Sequence, residues 1–266
     1  MPPPAPMHDF YSASSPVPLD QAQGLRRMFA GRRGQVLAFV ANPHVAFAGL
    51  VLDRAAQALA GAGREVLVAD AGPGAPLPHE LAPLDLAAGI ERIAPCVSYL
   101  PARGLPLAFV DTRGSAAGFV DALRDAAPQA DVLLVHADAT ELARVLTRHA
   151  VRPLLLGADH PESVKHAYAG AKLLARRTGL ATFDLLLVAA AHSPRATGIA
   201  ASLAGCLDGF LQALLCDWVQ LDPADDAPDA ALARLLEAQL ASGRQERLRA
   251  GSAAVRRAPT SSVLHP

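Results

Sequence analysis

Lysine is nearly missing from this chain of 266 residues: Lys165 and Lys172 are the only two, and every other basic side chain except histidine is arginine. Chemistry that needs a lysine elsewhere is therefore excluded. Cysteine is scarce as well. Cys96, Cys206 and Cys216 are too few and too scattered for a disulfide framework or a thiolate metal site, and they fit a reducing compartment, with the cytoplasm expected. Charge of either sign is thin, at 18% of residues against about 25% in typical soluble domains. The net charge of -1 leaves no overall cationic field to hold nucleic acid or anionic lipid. No uninterrupted apolar run reaches membrane-spanning length, because the stretch 36–52 is broken by Asn42, Pro43 and His44. The start of the chain has no cationic segment followed by an apolar one, so no secretory signal is expected.

What is present is a large apolar fraction, 52%, in a chain long enough to bury a substantial core. Residues 1–17, rich in Pro, Ser and Ala, have little to bury and are expected to form a disordered arm. Asp20 has the chemistry of a helix N-cap, and Ala22, Leu25, Met28 and Phe29 share one helical stripe, which predicts a short amphipathic helix within 18–31. So short a helix needs a surface to dock on. From residue 35 onward, β-rich apolar runs alternate with Ala- and Leu-rich helical stretches. Strands are expected over 36–41, 65–70, 97–100, 107–111, 131–136, 152–156 and 183–189. Helices are expected over 46–62, 115–126, 140–149, 162–177 and 198–216. Continuous apolar strands separated by helices imply an α/β, doubly wound, mainly parallel sheet with helices on both faces, spanning about 35–221. An acidic linker, a helix over 229–248 and a Pro/Ser tail complete the chain, residues 222–266 being an extension of the domain.

In such folds ligands gather at the carboxyl ends of the strands, and the first strand-to-helix turn is the usual phosphate cradle. A working cradle needs glycines whose N–H groups converge on phosphate, a lysine, and a Ser or Thr for Mg²⁺. Here the turn reads Asn42-Pro43-His44-Val45-Ala46-Phe47-Ala48-Gly49. Pro43 removes a donor, Val45 and Phe47 add bulk, Ala48 stands at a lysine position and Gly49 has no hydroxyl.

The same region carries a resemblance. Residues 36–71 are similar, without a gap, to the first βαβ unit of MinD-like ATPases: Val36-Leu37-Ala38-Phe39-Val40, then Ala56, Ala58-Leu59-Ala60 and Gly63, then Val66-Leu67-Val68-Ala69-Asp70-Ala71. Two further stretches resemble the flagellar-number regulators of that family, FlhG or FleN. One is Asp20-Gln21-Ala22-Gln23-Gly24-Leu25-Arg26-Arg27-Met28-Phe29. The other is Pro161-Glu162-Ser163-Val164-Lys165-His166-Ala167-Tyr168-Ala169-Gly170-Ala171-Lys172. The likeness runs from about Asp20 to Leu221 and is weak between Gly72 and Ala130.

The resemblance implies a P-loop NTPase fold and a set of roles. The family's cradle, Gly-Lys-Gly-Gly-x-Gly-Lys-Thr, falls on 42–49, where both lysines, three glycines and the threonine are replaced. Its Mg²⁺-linked aspartate falls on His136, with Asp111 as the alternative by local sequence, and Asp70 retains the aspartate ending the second strand. The family's adenine-holding Asn has no counterpart in 183–189. Its ATP-driven dimerisation works through a lysine replaced here by Pro43. The implied protein is a pseudo-ATPase that has lost ATP and Mg²⁺, with no catalytic residues of its own. Asn42, Pro43, His44, Ala48, Gly49, Asp70 and His136 mark its vestigial pocket. Its N-terminal helix is expected to dock on the signal-recognition-particle-type GTPase FlhF, with Leu25, Met28 and Phe29 supplying burial beside Ala22, and Asp20, Gln21 and Arg26 making directional contacts. In the family, that Gln helps the GTPase act.

Other readings stay open at this level. An active ATPase could use Asp70, Asp111 or Asp138 in a rearranged site, and a general scaffold unrelated to flagella would make 20–29 a chance match. The histidines His44, His136, His149, His160, His166 and His192 lack metal-ligand spacing, so no metal is expected. Ser193 and Ser202 lack a nucleophile-elbow pattern. The C-terminal helix places Leu232, Leu235, Leu236 and Leu240 on one face. With Glu237 and Glu246 diluting its arginines and no aromatic anchor, it is expected to pack on the domain and to have weak membrane affinity or none.

Overall fold

The structure, a computed structural model, describes residues 34–256 apart from 226 and 228, with side chains described as far as Gln245. The expected helix within 18–31, with all of its partner-docking residues, lies outside the described residues.

Eight strands form one sheet in the order β3-β4-β2-β5-β1-β6-β7-β8. They are β1 (Gln35–Val40), β2 (Val66–Asp70), β3 (Glu91–Ala94), β4 (Val97–Pro101), β5 (Val132–Ala137), β6 (Leu154–Ala158), β7 (Thr182–Val188) and β8 (Leu214–Leu221). Every pairing is parallel except β3 with β4. The helices are α1 (Ala48–Gly61), α2 (Gly118–Ala126), α3 (Ala139–Val145), α4 (Pro161–Thr178), α5 (Ala196–Leu211) and α6 (Ala230–Arg256). The expected doubly wound α/β class is what the chain adopts.

Alternating strand residues feed two separate cores, so the central strands are apolar throughout. Leu67, Ala69, Leu133, Val135 and Leu185 pack under α2, α3, α4 and α5. Leu37, Phe39, Val68, Leu134, Leu156 and Leu186 pack on the other face under α1 and α6. Helix α1 contributes Val51, Leu52, Ala55, Ala56 and Leu59, an i, i+1, i+4 stripe, and the chain turns out of it through Gly63 at φ 75°. Helix α6 inserts Leu232, Leu235, Leu236 and Leu240, all buried. Arg64 clasps Glu237 through Nε and Nη2 at 3.2 and 3.0 Å, and Gln239 donates to the buried Asp184 of β7 at 2.8 Å. The C-terminal helix packs on the domain, as its leucine stripe implied.

Three expectations fail locally. Residues 107–111 are not a strand: Pro106 opens a 3-10 turn, Leu105–Phe109, and β4 has no free neighbour for them to pair with. The helix expected over 198–216 stops at Leu211, where Gln212 takes a left-handed φ of 53°, and 214–221 becomes the edge strand β8. The helix expected over 140–149 ends at Val145 and tightens into a 3-10 turn, Leu146–Arg148. Strand β3 was not expected at all. It is short and carries Glu91 and Arg92, and the turn to β4 uses Cys96 at φ 62° rather than glycine.

Candidate functional site

Of the seven buried polar side chains among the described residues, four stand at the C-terminal ends of neighbouring strands or on the helix that follows them: Asn42, Asp70, His136 and Ser163. Buried polar groups persist only when partnered, so their partners define the site.

The turn after β1 is held by Asn42. Its Nδ2 lies 2.8 Å from the carbonyl of Leu156 at the end of β6, 2.9 Å from the carbonyl of Ser163 and 3.0 Å from the Ser163 hydroxyl. That hydroxyl in turn accepts the N–H of Ala158 at 2.8 Å. On its other side Asn42 closes the loop on itself: its Oδ1 accepts from the His44 N–H at 3.1 Å and its carbonyl from the Val45 N–H at 3.0 Å. Pro43 has no N–H to offer. Pro43, His44 and Gly49 are exposed, Ala48 is half-buried as the first residue of α1, and Phe47 stands in solvent at 56% exposure. The two stretches singled out at 42–49 and 161–172 thus touch through Asn42 and Ser163.

One strand over, β2 and β5 pair in register with Asp70 opposite His136. Asp70 Oδ1 and His136 Nδ1 are 2.7 Å apart and both side chains are buried. The same oxygen accepts the Gly72 N–H at 3.0 Å, and the Tyr99 hydroxyl donates to Oδ2 at 3.3 Å. Burial alone would push the Asp70 carboxyl up. The hydrogen bond and charge of His136, with Gly72 and Tyr99, more than offset it and hold the group below the usual carboxylate range. The Tyr99 hydroxyl is pushed up to about 12 by burial and by Asp70. Gly72 is required here, since a Cβ at this position would lie 2.5 Å from His136 Cε1. His136 Nε2 has no hydrogen-bond partner among the described residues.

The other two candidate aspartates are elsewhere and occupied. Asp111 sits in a loop, not at a strand end, and accepts the N–H groups of Arg113 and Ser115, both at 2.9 Å. Its reading as the end of a Walker B strand is therefore incorrect. Asp138 caps α3 through the N–H groups of Thr140 and Glu141 at 2.7 and 2.9 Å. At the mouth, His44 stacks 6.4 Å from His160, and its ring meets His166 edge-on at 5.9 Å. Burial, then the neighbouring His44, pushes His166 below the ordinary imidazole value. Among the described residues no group of three His, Cys, Asp or Glu is placed to hold a metal ion, and no helix is long and apolar enough to cross a membrane.

Sequence reasoning missed Ser163, Tyr99 and Gly72 as parts of this site. The Asp-x-Gly spacing 70–72 was a readable signal for an aspartate-closed turn. Nothing local marked Tyr99, which reaches Asp70 only because β4 lies beside β2.

No family model matches the sequence and no curated protein matches it. Solved structures do. The MinD cell division protein of Aquifex aeolicus superposes with a TM-score of 0.51 at 14% identity, covering 77% of this chain and 98% of that one. The fold is that of the MinD and ParA ATPases. A plasmid partition protein from Borrelia burgdorferi gives 0.54 at 11% identity, over 79% of this chain and 99% of its own. The apo form of Cyanothece McdA gives 0.52 at 13% identity, over 75% and 90%. In this fold the Asn42 turn occupies the first strand-to-helix crossing of the sheet, where β1 passes into α1.

Proposed function

We propose that this MinD-like chain is a regulator of flagellar placement or number in a bacterium, a FlhG-like pseudo-ATPase that acts by docking on a FlhF-type GTPase. The single observation that carries the loss of ATP chemistry is the internal use of the pocket's polar groups. Mg²⁺-triphosphate needs converging N–H donors, a cation and a free carboxylate. In the 42–45 turn, Pro43 has no donor and the N–H groups of His44 and Val45 are spent on Asn42. The Asp70 carboxylate is engaged by His136, Gly72 and Tyr99. The residues present do not fit the nucleotide. Each missing charge-assisted phosphate contact is worth about 1.5–3 kcal/mol, and about 1.4 kcal/mol is tenfold in affinity, so losing several removes tight binding.

The partner assignment is supported by the likeness of residues 20–29 to the FlhG docking helix, in which Gln21 takes the position that assists GTP turnover. The competing reading, an ATPase with a rearranged site, is favoured by the ATPases that share the fold. It is disfavoured because Asp70, Asp111 and Asp138 are each committed to hydrogen bonds inside the chain.

Two measurements on the full chain test the proposal. Calorimetric titration with Mg²⁺-ATP is expected to give no saturable heat, and size-exclusion runs no ATP-dependent dimer; micromolar binding or a shifted peak overturns the pseudo-ATPase. Adding the chain to FlhF is expected to raise GTP turnover, and Gln21→Ala to abolish the rise. No stimulation, or stimulation indifferent to the substitution, removes the flagellar reading and leaves a scaffold.

A further inference from the structure

At the opposite edge of the sheet, by the N-terminal ends of the strands, a cavity of about 150 Å³ opens between the start of β1, the segment leading into β6, and α6. Arg124, Arg148 and Arg152 line it together with His149, Gln35 and Gln239. Among the described residues two carboxylates answer these three guanidinium groups. Asp121 accepts from Arg124 Nη1 at 2.9 Å and lies 3.8 Å from Arg148 Nη2, and Asp184 lies 2.8 Å from Arg152 Nε. Among the described residues positive charge is left in excess at the cavity wall. Three buried polar atoms of that wall, Arg152 Nε, His149 Nε2 and Gln239 Oε1, have no hydrogen-bond partner among the described residues. Arg152 Nε is a charged donor and His149 Nε2 becomes one on protonation, so these two atoms lack an acceptor; Gln239 Oε1, itself an acceptor, does not call for an anion.

We propose that this cavity binds a small multivalent oxyanion of the phosphate class, free or as the head group of a small ester. Its volume is below the ~300–1,000 Å³ of sites for drug-sized ligands, which suits a tetrahedral anion. Arginine forks are the side chains that match tetrahedral oxyanions with paired N–H donors. Arg152 Nε is ion-paired with Asp184 Oδ2 at 2.8 Å but makes no aligned hydrogen bond among the described residues. Gln35 is held in place by donating to the Leu240 carbonyl at 2.7 Å and accepting from Arg244 at 3.2 Å, which fixes the floor.

His149 supplies a proton switch. It faces Arg124 and Asp121 of α2 and Arg148 of its own turn and is bonded to the Ala117 backbone, while α6 brings the uncharged Gln239 and Ser242 to the same cavity. Burial, then the arginines, holds its ring below the ordinary imidazole value, so the empty cavity keeps it neutral. An anion cancels the repulsion from Arg124 and Arg148. Nε2 then takes up a proton and becomes a donor to the ligand.

Calorimetry of the full chain at fixed ionic strength tests this with inorganic phosphate, sulfate and glycerol phosphate against a chloride background. One saturable site for phosphate and sulfate is expected. Sulfate, which does not titrate in this range, binds several-fold tighter at pH 6 than at pH 7.5, with proton uptake visible as a heat that depends on the buffer. Arg148→Gln, at a side chain 68% exposed, leaves the fold intact and weakens binding about tenfold. His149→Asn keeps binding and removes the pH dependence. Saturation by glycerol phosphate but not by the free anions identifies an esterified ligand and also supports the site. Absence of saturation by all three, or affinity unchanged in both Arg148→Gln and Arg124→Gln, overturns it.

Discussion

Asp70 and His136 are 66 positions apart in sequence and 2.7 Å apart in space, buried beside Tyr99 and Gly72. Such a pair is costly to break, because removing one member leaves the other buried without its partner. Asp70→Asn is therefore expected to lower stability by about 1.5–3 kcal/mol at pH 7, read from urea midpoints. The pH dependence carries the sign. Because the folded carboxyl is held below its ordinary 3.8, its contribution is present above that value and is lost as pH falls through the folded one. The gap between wild type and variant should close in strong acid, and a gap that persists there would mean the loss is one of packing alone. Both residue types were legible as strand-end groups. Their contact was not, since it depends on β2 pairing with β5, and strand order leaves no mark on local periodicity. Asn42 was read as a defect in a phosphate loop; in the fold it ties β1, β6 and α4 together.

Helix α6 shows what periodicity does reveal. The spacing of Leu232, Leu235, Leu236 and Leu240 identified one apolar face, and that face fills the core beneath α1. Leu236→Ala is expected to cost about 2–5 kcal/mol by urea unfolding, a value for a fully buried leucine. A loss under 1 kcal/mol would indicate a loosely docked helix. Elements were misread where punctuation came from an unexpected residue. Gln212 ends α5 in a left-handed conformation that glycine or asparagine would have advertised, so a leucine-rich strand passed for more helix. Cys96 does the same in the β3–β4 turn. The 107–111 stretch failed for the opposite reason, its apolar run being short and interrupted upstream by Pro106.

At the scale of the molecule, the alternation of strands and helices was enough to give a parallel sheet with two covered faces, while the order β3-β4-β2-β5-β1-β6-β7-β8 required tertiary pairing. The parallel direction of the strands separates two polar ends: histidines and a buried carboxylate at the C-terminal ends, arginines and His149 at the N-terminal ends. Burial acts on both. His166 at one edge and His149 at the other are held below the ordinary 6.5, so the neutral rings stabilise the fold above that value and the contribution is lost as pH falls through their folded values. Burial pushes Asp184 above 3.8, despite Gln239 and Arg152, and its contribution runs the other way. The window from pH 7 to pH 5 spans the ordinary imidazole value and lies above the ordinary carboxylate ones, so the urea midpoint is expected to fall. Sulfate distinguishes the two edges. By offering protonated His149 a counter-charge it should raise the midpoint more at pH 5 than at pH 7, and His149→Asn should remove that difference while leaving the stabilisation through the arginines and the share of the loss due to His166. A midpoint that is flat or rising toward pH 5 would mean that neither ring is kept neutral by the fold.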